Sequence, residues 1–190
     1  MDDTKNRGTS RVGHHLVVGA LATAATFGAT GAAAATDMFI KIGDIKGEST
    51  DAKHPGEIAV LAWSWGVNGA IAGESRKKDG SQSACGEPLT IDKLVDLATP
   101  PLVTGASHNT VFPSAKLTVR KAGERPIESV ALNLTGVTVK ALANGGPDAD
   151  GSMKERLTLA YTSATFTYTP QKADGSAGTP VSGIAPGSCP

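Results

Sequence analysis

The residues with the most obvious chemistry are two cysteines, Cys85 in a polar stretch and Cys189 beside the end of the 190-residue chain. An even pair lying outside the apolar runs favours a disulfide wherever the compartment is oxidising. Two free thiols or a bond between subunits are the alternatives. Spacing disfavours a metal, because neither cysteine has a second ligand close by. His54 and His108 each sit in a polar segment with no Cys or His beside them, and both are expected as solvated surface side chains. Asp148-Ala149-Asp150-Gly151 resembles part of a calcium loop but lacks the third acidic position and the distal Glu, so it reads as a turn. Asn133-Leu134-Thr135 fits the glycosylation pattern, yet it falls inside a strand-like run. No nucleophile elbow, phosphate loop, His-Glu-x-x-His or dinucleotide fingerprint occurs. No catalytic, cofactor-binding or metal-binding residue is assigned, and no enzyme is expected.

The compartment is suggested by the first 35 residues. Residues 1–15 are polar and carry Lys5, Arg7 and Arg11, residues 16–27 are mildly apolar, and Ala33-Ala34-Ala35 precedes Thr36. That order predicts a secretory signal peptide cleaved near Ala35-Thr36, placing the chain in the periplasm or outside the cell. The alternative is an Ala-rich leader on a cytosolic protein. The apolar run is too short and too rich in Thr and Gly to span a membrane. About 155 residues remain, enough to bury about two-thirds of their unfolded surface. With 18 basic and 18 acidic residues the formal charge is zero, which favours neither nucleic acid nor anionic membrane as a partner.

The elements that must position these residues read mainly as strands. Residues 57–69 alternate, with Ala59, Leu61, Trp63, Trp65 and Val67 in one row and Ile58, Val60, Ala62, Ser64 and Gly66 in the other. We read one long strand with the bulky row in the core, so Leu61, Trp63, Trp65 and Phe39 are the expected core anchors. Further strands are expected at 37–43, 89–94, 115–121, 127–142 and 156–169, with a turn at 145–151. Thr99 before Pro100 and Pro101 predicts the N-cap of one short helix over 99–106. The connection 70–88 is long and polar, with Arg76, Lys77, Lys78 and Asp79 at its tip, and a loop of this length reads as interfacial. Residues 176–190 are rich in Gly, Ser, Ala and Pro and read as a loose tail. Strands without βαβ alternation imply an antiparallel barrel or sandwich.

Four segments carry a family likeness. Asp37-Met38-Phe39-Ile40-Lys41-Ile42-Gly43 with its continuation to Ser49, Ala62-Trp63-Ser64-Trp65-Gly66, Phe112-Pro113-Ser114-Ala115-Lys116-Leu117, and Tyr168-Thr169-Pro170-Gln171-Lys172-Ala173-Asp174-Gly175 occur in order across 37–175. As a set they resemble the hemolysin-coregulated protein (Hcp) family, the tube proteins of type VI secretion. The resemblance implies a compact antiparallel β-barrel of two sheets with one short helix over 36–175. It also implies homo-hexameric rings that stack into a hollow tube, a lumen that can carry effectors, and contact with other secretion components. No cofactor, nucleic acid or membrane insertion follows from it. The 70–88 connection corresponds to the family's ring-to-ring loop, which makes Arg76, Lys77, Lys78 and Asp79 the expected stacking residues. A signal peptide and Cys189 depart from the family pattern. Cys85 and Cys189 are expected to pin the tail to this loop, within a subunit or across a ring junction. A monomeric exported binding module is the alternative function.

Overall fold

The computed structural model describes residues 36–69, 84–121 and 126–189. The leader and the tip residues Arg76, Lys77, Lys78 and Asp79 lie outside them. The described elements run β1 (Thr36–Ile42), β2 (Ile58–Ala59), β3 (Ala62–Ser64), β4 (Val67–Asn68), β5 (Cys85–Gly86) and β6 (Leu89–Leu94). Then follow α1 (Thr99–Ser107), β7 (Val111–Lys121), β8 (Ile127–Pro147), β9 (Met153–Ala160), β10 (Ser163–Tyr168) and β11 (Val181–Pro186).

The backbone of the fold is the long strand β8. Along one side it pairs with β7, and along the other with β9 and then β10, Thr138 facing Ala160 and Thr135 facing Ser163. The run 156–169 is therefore two strands rather than the single one expected. Gly136, at φ +55°, sits where the ladder kinks, and a Cβ there would come within 2.6 Å of the Thr162 hydroxyl. The turn between β8 and β9 is closed by Gly151 N–H donating to the Asp148 carbonyl, with Asp150 accepting from Ser152. The calcium-like run is thus an ordinary turn.

Residues 58–64 close the barrel. The sheet runs β2-β1-β7-β8-β9-β6-β3, all pairs antiparallel, so β2 lies at one end of the path and β3 at the other. Those two strands are separated only by Val60 and Leu61, whose N–H groups donate to Met38 on β1 and Asp92 on β6. One stretch therefore stitches both sheet edges together. The expected single strand 57–69 is corrected to three short strands with three different partners. Changing partners shifts the alternation by one residue: Ile58 opposite Ile40 and Trp63 opposite Ile91 both face inward. Leu61, caught between the two phases, is 45% exposed and is not a core residue. Trp63 and Trp65 are half-buried against the core rather than at its centre. The interior is filled by aliphatic side chains from every wall, among them Ile40, Ile58, Ile91, Leu117, Leu132 and Leu157. A closed barrel this narrow has room for side chains and no channel.

Phe39 is buried, but outside that core. It alternates with Ile40 and Ile42, so it points away from the barrel interior and is covered by the loop 44–57. His54 from that loop stacks on its ring at 4.4 Å, and the Arg120 guanidinium lies over the ring at 5.3 Å. His54 is therefore buried, not a surface residue, with its Nδ1 3.0 Å from Glu57 Oε2. Arg120 donates to Asp51 and, at 2.8 Å, to Asp37. The Arg120 hydrogen bond, helped by the Lys53 backbone N–H, holds the Asp51 carboxyl well below its usual range. A depressed folded-state value adds stability that is complete above the unfolded Asp value of about 3.9 and is lost as pH falls through the folded one. Asp51→Asn should flatten this part of the acid-side loss, read as urea midpoints between about pH 5 and about pH 2. Parallel pH profiles for the two proteins would contradict it.

Two further expectations change. Ala98, not Thr99, is the N-cap of α1; Asp96 Oδ1 accepts from the Ala98 N–H, while the Thr99 hydroxyl turns inward to Glu155. The tail is not loose either, since β11 pairs with β10 from Tyr168 opposite Val181 to Ser163 opposite Pro186. Backbone pairing at an open edge needs no apolar alternation, and only Ala185 of β11 is buried.

Candidate functional site

The long connection leaves the barrel through β4 and returns through β5, which pair only as Val67 with Gly86 and Asn68 with Cys85. A ladder this short is not stable by itself. Its support comes from the barrel and from the end of the chain. Trp65 Nε1 donates to Tyr161 Oη at 2.6 Å, and Tyr161 Oη donates to the Glu87 carbonyl at 2.9 Å. Phe166 stacks with Trp65 at 5.8 Å. Burial pushes the Tyr161 hydroxyl above its ordinary pKa, against the opposing hydrogen bond from Trp65. Gly86 is required here, because a Cβ would lie 2.0 Å from Tyr161 Oη. Tyr161→Phe should cost about 1–3 kcal/mol by leaving Trp65 Nε1 unpaired, with a shift in Trp fluorescence. An unchanged unfolding midpoint would contradict it.

Residues 187–189 then lace the stem down. Gly86 N–H donates to the Gly187 carbonyl at 2.9 Å, Cys189 N–H to the Gly86 carbonyl at 2.7 Å, and Ser188 N–H to the Tyr161 carbonyl at 2.9 Å. Cys85 and Cys189 are joined within the one chain, with Cα atoms 5.2 Å apart. The expected cysteine pair, Trp65 and the base of the expected stacking loop thus meet at one place. Trp63, Leu61 and Phe39 lie elsewhere on the barrel.

A second polar cluster escaped the reading of the sequence. Lys93 and Glu155, opposite each other on β6 and β9, are almost wholly buried, with Lys93 Nζ 2.6 Å from Glu155 Oε1 and 2.7 Å from Asp96 Oδ1. The signal was present in the alternation Leu89-Ile91-Lys93 and Glu155-Leu157-Leu159, which puts both charges on inward rows. Among the described residues no group of three or more His, Cys, Asp or Glu is arranged to hold a metal ion.

Residues 39–168 match the family model described as "Type VI secretion system effector, Hcp". The chain belongs to the Hcp family. It is 41% identical over 142 residues to Protein hcp1 of Pseudomonas aeruginosa, covering 74% of this chain and 88% of that relative. Hcp1 of Salmonella typhimurium superposes with a TM-score of 0.67 at 25% identity, over 80% of this chain and 99% of that one. A type VI secretion system effector from Yersinia pestis gives 0.64 at 28% identity, over 79% and 99%. This Hcp-family chain is a type VI secretion tube protein, a structural component of that machinery. β11 and Cys189 fall outside the matched segment. No helix among the described residues is long and apolar enough to cross a membrane.

Proposed function

We propose that the chain forms homo-hexameric rings that stack into a hollow tube or extracellular filament carrying effectors, without catalysis of its own. The observation that carries this reading is the family match across the whole closed barrel. Because the barrel interior is filled, a conduit has to form between subunits rather than through one. Exposed apolar side chains supply surface for such contacts: Leu61, Leu94 and Met153 on one side, and Val181 and Ile184 on β11. The stem β4–β5 presents the connection that bears Arg76, Lys77, Lys78 and Asp79 as the stacking loop. The leader 1–35 directs export and is removed near Ala35-Thr36.

Negative-stain electron microscopy of the purified protein tests the assembly, with rings or tubes expected. A monodisperse monomer at high concentration would replace it by the exported binding module. N-terminal sequencing of protein recovered from the culture medium should begin at Thr36, and a start at Met1 would remove the signal-peptide reading.

A further inference from the structure

We propose that Cys85–Cys189 is a redox latch that makes ring stacking conditional on oxidation, an inference that rests on the stacking role given above to the 70–88 connection. The stem that presents the connection has only two residue pairs of its own. Trp65 and Tyr161 anchor its base to the barrel. Its β5 arm is directed by the strap 187–189, through the Gly86–Gly187 and Cys189–Gly86 hydrogen bonds, and by the cysteine pair itself. The strap is held in turn by Tyr161 and by β11, an edge strand that buries only Ala185. Without the covalent bond, a two-pair ladder and a lightly packed strand must hold the ends of a long polar segment. Closing such a segment is entropically unfavourable, so the stem opens locally while the barrel persists.

Both cysteines are half-buried rather than sealed in the core, and Cys189 lines a shallow depression of about 430 Å³ that Lys140 also lines. A cation near the sulfur favours the thiolate that exchange requires. Oxidation removes two protons and two electrons as the S–S bond forms. The electrons pass through a mixed disulfide to the disulfide of a thiol–disulfide oxidoreductase, which leaves as a dithiol. In a reducing compartment the subunit would form rings that do not stack, and the latch would close after export.

The test uses the full protein, oxidised, reduced, and reoxidised with oxidised glutathione, beside Cys85→Ser. Thiol state is read by alkylation and mass, assembly by microscopy and sedimentation, and stem opening by tryptic cleavage after Arg76, Lys77 or Lys78. Tubes are expected only in the oxidised and reoxidised samples, with rings in the reduced sample and in Cys85→Ser. Cleavage should be about tenfold faster without the bond, equivalent to ~1.4 kcal/mol easier local opening. If reduction unfolds the barrel, sucrose restores the fold without the bond, and rings must still fail to stack. Equal tube content and equal cleavage in fully reduced and oxidised protein would overturn the latch and leave the assembly standing. Absence of rings and tubes from every sample would overturn the assembly reading and the latch with it.

Discussion

Lys93→Met is expected to destabilise the protein by about 3–5 kcal/mol, because it leaves Glu155 buried as an unpaired charge. Glu155 is almost wholly shielded from water, and its Oε2 already lacks a hydrogen-bond partner. Only Thr99 Oγ1, at 2.9 Å, would still satisfy Oε1. The loss is a large fraction of the roughly 5–15 kcal/mol typical of a whole domain. The double variant Lys93→Met/Glu155→Leu should recover most of it, since apolar side chains of similar volume fill the same inward rows without a desolvation cost. Denaturant unfolding of the two singles and the double completes the cycle. Losses below about 1 kcal/mol in both singles would show that the pair is solvated and paired only weakly.

Cys85→Ser should lower stability by about 4–5 kcal/mol in the chain-entropy account, because the bond joins residues 104 apart in sequence. The same variant should have a larger denaturant slope, since its unfolded chain is no longer cross-linked and exposes more surface. Cys189→Ser should match it in both quantities. Equal midpoints for oxidised protein and both serine variants would show that the bond does not constrain the unfolded chain. The effect is distinct from the latch, which concerns the stem within the folded protein.

Much of this fold was legible locally. Leu89–Leu94 is the strand its alternation predicts, α1 contains Pro100 and Pro101 in its first turn, and the Asp-Ala-Asp-Gly run after β8 is a turn. Four motifs in order sufficed to name the family. These are properties of neighbouring residues, which stay close together in any fold the chain adopts.

Tertiary structure decided what depends on partners far along the chain. The row 58–65 changes phase because its first half pairs with β1 and its second with β6, so Leu61 turns out to solvent although its period points inward. His54 is buried because its loop folds over Phe39, a contact with no local trace. β11 forms because β10 offers an open edge to a segment whose own composition predicts nothing. The alternation of β6 and β9 placed Lys93 and Glu155 on inward rows, but only the register between those strands sets the two charges opposite each other. Side-chain period is written in the sequence, whereas pairing register and barrel closure are settled by long-range hydrogen bonds.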